Sequence, residues 1–386
     1  MTTPVRLSRT GVTQHIAGPL QMRLLISLSL ILALGCLNAE ELKAATIERY
    51  SDPVMGCSIL LSGQIVAGDT ERLQDLVEAV RNESPRGDVG RVCLNSPGGS
   101  FEEGVRLAQF IRRSHYLGTA IGDGHICESA CAVSFMAGGW TEGGYDSVRP
   151  IMHPRSRLGF HAPSIEIPAG QYNEAQVSRA WNVALGAVAQ ILEMRSGPLN
   201  VSDNYNFSDR LFLEMISTPS DAMFYIDTVE RAAIFEIAVF PVGINSASPA
   251  QAFTNLCMAA SGVPISGVNF VPQIRREATD EIQAYFQSGF GDEASSSCRV
   301  TLRRQAVMDR DAFRHSRDRP VSIEWNGSES GGEPYATQSG AFQHMTFDGS
   351  TRLEALPTDT ERSWEEFAAR IQPVGPTAEQ CWLTSA

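Results

Sequence analysis

The chain of 386 residues is short of positive charge and contains no long Lys/Arg run. Its 44 acidic residues outnumber 31 basic ones, for a net charge of −13. Such a chain repels nucleic acid and anionic lipid, so neither is an expected partner. Apolar runs are short as well. The strongest, Leu24–Leu34, is interrupted by Ser27 and Ser29 and falls below the roughly 20 apolar residues that a bilayer span requires. No internal repeat appears, which excludes a solenoid or propeller array. The cysteines and histidines form no ligand quartet at metal spacing, and the chemistry read below calls for no cofactor. With 43% hydrophobic and 19% charged residues, the composition is that of a globular protein.

The run from Met22 has the make-up of a secretory signal: one Arg, a short apolar stretch, then small residues, with cleavage expected near Ala39 or Ala44–Ala45. The preceding 21 residues are polar and patternless, so Met22 is read as the start and 1–45 as an extension plus signal. Export to the periplasm or the medium gives the eight cysteines meaning. With Cys36 removed, Cys57, Cys93, Cys127, Cys131, Cys257, Cys298 and Cys381 remain. An odd count leaves at least one thiol unpaired within the chain, and spacing does not decide the pairing.

Between residues 46 and 243, strand-like and helix-like segments alternate, the pattern of an α/β domain with a parallel sheet. Ser58–Val66, Arg91–Asn95 and Tyr116–Ile121 are predicted strands. Between them lie a helix capped by Asp69 and a second opened by the capping box Ser100/Glu103. Ala130–Met136 reads as a short buried helix and Gln171–Arg195 as the longest, with Val177, Trp181, Ala184, Val188 and Ile191 on one stripe. Ser208–Ile216 is a further helix, and Met223–Ile226 and Ile234–Phe240 are short strands. After a linker near Ser246–Pro249, residues 250–386 are expected to form a smaller mixed domain, braced by disulfides and of unknown role.

Three segments carry chemistry. In Asn95-Ser96-Pro97-Gly98-Gly99-Ser100, glycines between a strand and a helix allow backbone N–H groups to face a cleft, although a lone Pro-Gly-Gly is usually only a turn. In Cys127-Glu128-Ser129-Ala130-Cys131, Ser129 stands where a strand turns into a helix, as nucleophile or as plain N-cap, with Ala130 N–H behind it. Cys127 and Cys131 either bridge and stiffen this elbow, pair elsewhere with Cys57 or Cys93, or stay free. In Ser156-Arg157-Leu158-Gly159-Phe160-His161-Ala162-Pro163, His161 ends a strand, where it either shuttles a proton or merely bonds the terminus.

Taken in order, these motifs resemble the proteolytic subunit of Clp protease, and more closely its exported, uncharacterised relatives in bacteria. The resemblance covers roughly 58–240 and rests chiefly on Asn95–Gly99, followed by a helix with Gly104, and on Ser156–Pro163. It implies a crotonase-like spiral of ββα units with Ser129 as nucleophile, His161 as base, and an oxyanion hole from Gly98 or Gly99 together with Ala130. It also implies a homo-oligomer acting on peptides or proteins. The chain departs from the family around the nucleophile, where bulkier Cys and Glu stand. It departs also at the third catalytic position: aligning Phe224 places Ala222 where an aspartate is expected and Asp221 one residue earlier, with Asp209 a weaker candidate. A backbone carbonyl orienting His161 is the alternative. The loop around Trp140–Pro150 has no counterpart, and an ATP-driven chaperone partner does not fit an exported protein. The functional expectation is an exported serine peptidase. Its rivals are a crotonase-like acyl-thioester enzyme and an inactive binding protein on the same fold.

Overall fold

The computed structural model describes residues 44–84, 89–114, 117–138, 140–142, 145–148, 150–163, 170–195, 207–261, 273–278, 281–290, 294–304, 321–326 and 343–371. The signal segment apart from Ala44 and Ala45, and with it Cys36, lies outside the described residues, as does Cys381.

The first strand, β1 (Thr46–Asp52), runs antiparallel to β2 (Cys57–Ser62) at the edge of the main sheet. It is rich in charge and largely exposed, so it shows no apolar alternation in sequence. α1 (Asp69–Glu83) begins after Gly68, whose φ of 94° makes the turn. Asp69 is not the cap: it is the first helical residue, buried, with its carboxylate accepting from Val66 N and from Arg72. β3 (Gly90–Asn95) and α2 (Phe101–Arg113) follow. Ser100 Oγ accepts from Glu103 N at 3.3 Å, but Glu103 does not reach back. Its carboxylate is buried, accepting from Thr70 N at 2.7 Å, with Arg106 3.0 Å away, and so ties α2 to α1.

β4 (Leu117–Ile121), β5 (Ile126–Glu128) and α3 (Ala130–Met136) carry the chain into the centre. A hairpin of β6 (Trp140–Glu142) and β7 (Tyr145–Val148) precedes β8 (Ile151–Met152) and β9 (Arg157–Phe160). Then come α4 (Glu174–Arg195), α5 (Asp209–Ser217), β10 (Phe224–Tyr225), α6 (Val229–Ile234) and β11 (Ala238–Val239). Within what reads as a strand at 234–240, Ile234 ends α6 and a turn follows, so the strand is confined to Ala238–Val239; six residues are too few for the helical period of α6 to show in sequence. The remainder is α7 (Pro249–Ser261), β12 (Gln273–Ala278), β13 (Glu281–Phe290), β14 (Ala294–Arg303), β15 (Val321–Asn326) and α8 (Thr360–Ala369).

The central sheet has the order β1-β2-β3-β4-β8-β11, and every pairing after β1–β2 is parallel. This is a mixed α/β architecture with a mostly parallel sheet. β4 is buried along its whole length because both faces are covered, as parallel sheets require. On one side Val92, Leu94 and Ile121 pack against the α2 and α3 residues Val105, Ala108 and Phe135. On the other, Cys93, Ala120 and Ile151 join Phe253, Leu256, Ile282, Trp364 and Phe367. The described residues from Ala44 onward accordingly form one compact unit. β12–β15 make a four-stranded antiparallel sheet.

Among the described residues three disulfides brace the fold: Cys57–Cys93 between β2 and β3, Cys127–Cys131 between β5 and α3, and Cys257–Cys298 between α7 and β14. Disulfides in this number fit a protein outside the cytosol. Among the described residues no helix is long and apolar enough to cross a membrane.

α4 differs from its expected packing. Among its described side chains, only those near the C-terminal end enter the core, Ile191 and the half-buried Val188. Val177 and Trp181 remain 57% and 65% exposed, together with Val183, Leu185 and Leu192.

Candidate active site

A small sheet, β10-β9-β5, stands beside the central one. β5 and β9 are parallel with Ile126 opposite Arg157, Cys127 opposite Leu158 and Glu128 opposite Gly159. Cys127, Leu158 and Phe160 face the core and are buried. The opposite face carries Glu128 and Arg157, and strand alternation assigns to it His161, two residues beyond the ladder. The ladder continues one bond further, with Ser129 N donating to Gly159 O at 3.0 Å. Two parallel strands therefore end side by side, one leading into Ser129 and the other into His161.

Ser129 occupies the N-cap position of α3, at φ 57° and ψ −122°. Non-glycine residues seldom take positive φ. The other serine and threonine caps of the fold behave differently. Ser100, Ser208 and Thr228 have negative φ, and each side-chain oxygen accepts from the backbone N–H three residues on. Ser129 makes no such bond; its carbonyl takes Ala132 N and Val133 N, and its hydroxyl is not engaged by the helix. The plain N-cap alternative therefore does not describe its geometry.

Gly98 packs directly on this elbow. A Cβ there would lie 2.7 Å from Glu128 O, 2.7 Å from Ser129 Cβ and 3.2 Å from Ala130 N, and its φ of 98° is a glycine conformation. Its N–H donates to Ser96 Oγ at 3.0 Å, so it is already engaged. Gly99 differs. Its neighbours point toward residue 65, with Ile65 N donating to Gly98 O and Ser100 N to Ile65 O. Successive backbone groups alternate, so the N–H of Gly99 projects from the opposite edge. Among the described residues no hydrogen bond engages that N–H or the N–H of Ala130, the first residue of α3. Of the three expected oxyanion donors, Gly99 and Ala130 are open and Gly98 is taken.

His161 is half-buried, and its Nδ1 lies 2.8 Å from Ala162 O. A carbonyl only accepts, so Nδ1 carries the proton and Nε2 is left as a proton acceptor. Ala162 N in turn donates to Thr218 O, which ties the strand end to the loop after α5. Asp221 lies in that loop, exposed, in a turn closed by Ala222 N and Pro219 O. Among the described residues no hydrogen bond or ion pair joins Asp221 to His161. Asp209 is exposed at the start of α5.

Beside the serine lies a polar cluster absent from the sequence expectations. Tyr225 donates its hydroxyl to Glu128 Oε1 at 3.2 Å, and Arg157 Nη2 stands 3.0 Å from the same oxygen. Burial first, then the Glu128 carboxylate, pushes the Tyr225 phenol above its ordinary range. Gly159 permits this: any side chain there would collide with Met223 and Tyr225. Strand alternation places Glu128 and Arg157 on one face, and that is the only signal sequence offers; Tyr225 arrives from 97 residues away. A cavity of about 230 Å³ borders the cluster, lined by Arg157, Leu158, Tyr225, Asp227, Arg352 and Leu353 among others. A second polar group sits at the ends of β4 and β8. There His153 Nδ1 accepts from Arg155 N at 3.1 Å, and burial lowers its pKa. Among the described residues no group of three or more His, Cys, Asp or Glu is placed to hold a metal ion.

No protein-family model matches this chain, and no curated protein matches it.

Proposed function

We propose that the chain is a Clp-protease-like serine peptidase of the periplasm or the medium, built on a crotonase-like spiral, that cleaves peptide bonds through an acyl-enzyme on Ser129. The observation that carries the reading is the conformation of Ser129: a left-handed serine at a strand-to-helix junction, its hydroxyl not used as a cap, on the strand paired with the one that ends in His161. Ser129 Oγ attacks the scissile carbonyl while His161 Nε2 takes its proton. The oxyanion that forms is met by the N–H groups of Gly99 and Ala130. His161 then protonates the departing amine, and water repeats the sequence on the acyl-enzyme with the roles reversed.

The hydrogen bond from His161 Nδ1 to Ala162 O favours a dyad over a triad, because it already selects the required tautomer. The exposed apolar side of α4 supports the expectation of a homo-oligomer. A fluorophosphonate probe tests the reading. Labelling of wild type at Ser129, abolished in Ser129→Ala and reduced by roughly a thousandfold or more in His161→Ala, supports it. Asp221→Asn should change the labelling rate only a few-fold, a rough margin for a residue outside the reacting unit. Thioester turnover independent of Ser129 would instead favour the crotonase-like rival, and silence in both assays a binding protein.

A further inference from the structure

We infer that the Cys127–Cys131 disulfide is the positioning device of Ser129, holding the serine out of the ordinary cap conformation, so that the elbow is set only when the bridge has formed. The catalytic consequence rests on the serine-hydrolase reading; the geometric claim does not.

The three bridges are not equivalent. Cys57–Cys93 and Cys257–Cys298 join residues 36 and 41 apart in sequence, whereas Cys127–Cys131 spans only 4. A bridge restrains the unfolded chain less the shorter the loop it closes, so the third has the least to offer global stability. Its place in the fold is what distinguishes it. It joins the end of β5 to the first turn of α3, with Ser129 at its midpoint, and both cysteines are completely buried in the main core. The ends of the elbow are thereby pinned to the core while the residue between them stays partly accessible.

The rest of the molecule shows what this restraint opposes. At Ser100, Ser208 and Thr228 a hydroxyl residue before a helix takes negative φ and caps the third N–H. That arrangement is the favourable one for serine. Ser129 has the same position and the same hydroxyl, yet holds φ at 57°, a conformation that costs free energy for any residue with a Cβ. Of these four caps, it alone has a disulfide spanning it. Without the bridge, Ser129 is free to relax toward the common cap, with Oγ accepting from Ala132 N; a hydroxyl so engaged is no longer available to attack. Formation of the bridge removes two protons and two electrons from the thiols. A disulfide oxidant, such as an oxidised thiol–disulfide oxidoreductase or oxidised glutathione, takes them up and is reduced to two thiols. The chain is then inert while its thiols are reduced and becomes competent upon oxidation.

The test uses C127A/C131A, with C57A/C93A as the control lacking a different bridge of the same region, and Ser129→Gly placed in wild type and in C127A/C131A. Glycine adopts positive φ without cost, so Ser129→Gly reports how much strain the serine bears. It should raise the melting temperature of the bridged protein by roughly 2–4 °C and leave that of C127A/C131A unchanged. Fluorophosphonate labelling of Ser129 should fall roughly a hundredfold in C127A/C131A, in the first-order inactivation constant rather than in probe affinity. In C57A/C93A it should stay at the wild-type rate. Should the alanine pair not fold, C127V/C131A refills the lost volume and carries the same comparison. Equal gains from Ser129→Gly in both backgrounds, or labelling of C127A/C131A within about twofold of wild type, well short of the loss expected from misplacement, would overturn the proposal. If wild type itself is not labelled, the hydrolase reading fails while the melting temperatures still judge the bridge.

Discussion

Replacing Gly98 by alanine tests how tightly the elbow is built. Two costs arise, and the structure separates them. The first is conformational: φ of 98° places any Cβ in the disfavoured left-handed region, at about 1–2 kcal/mol. Gly68, at φ 94° with nothing within 4 Å of where a methyl group would stand, bears that cost alone. The second is steric. At Gly98 the methyl group would meet Glu128 O and Ser129 Cβ at 2.7 Å, and the backbone cannot yield easily because Gly98 O accepts from Ile65 N at 2.8 Å. Overpacking of this kind costs about 1–3 kcal/mol more. Gly68→Ala should therefore lose about 1–2 kcal/mol in urea denaturation and keep the labelling rate of Ser129. Gly98→Ala should lose about 2–5 kcal/mol and most of its labelling, since relief of the clash must move Ser129. If the two variants agree within about 0.5 kcal/mol, the size of an ordinary surface effect, then Gly98 is only a turn glycine and the close packing at Ser129 is refuted.

Gly104→Ala should reverse the usual preference for alanine in a helix. The favourable propensity is about 1 kcal/mol, but the new methyl would lie 2.7 Å from Ala130 O at a cost of about 1–3 kcal/mol, so thermal denaturation should show no gain and a net loss of up to about 2 kcal/mol. His344 is fully buried, and burial lowers its pKa to about 3 from an ordinary 6.5. The unfolded chain then binds the extra proton between those values, so stability is complete above pH 6.5 and declines as pH falls toward 3, by on the order of 5 kcal/mol. Urea midpoints across this window should flatten in His344→Gln; an unchanged slope would assign acid sensitivity to other groups. Trp181→Asp, on the free face of α4, should lower the particle mass in light scattering without altering the melting temperature. Identical masses for both proteins would remove α4 from any self-association.

Much of the central architecture is legible in the sequence because it is local. Apolar runs such as Leu117–Ile121 mark strands covered on both faces, and the Ser100 cap announces α2 before any contact is made. The strand-to-helix junction at Ser129 is legible for the same reason: Ala130–Met136 is apolar except for Ser134 and follows a short β segment. Where periodicity is weak or the run brief, as in β1 and α6, sequence offers no signal. Tertiary structure alone decides the rest. Ser129 takes its positive φ against Gly98 and within the Cys127–Cys131 bridge, and a dihedral angle leaves no trace in residue type when a serine adopts it. The Ala162 carbonyl that meets His161 belongs to the backbone, which every residue shares, so no side-chain pattern points to it. Glu128, Arg157 and Tyr225 converge because β5, β9 and β10 lie side by side, a pairing set by burial of their common inner face rather than by spacing along the chain. Residue type and local period thus determined most of the elements and the serine that stands at a strand-to-helix junction; long-range packing decided how that serine is held and what surrounds it, because those interactions join segments that the sequence keeps apart.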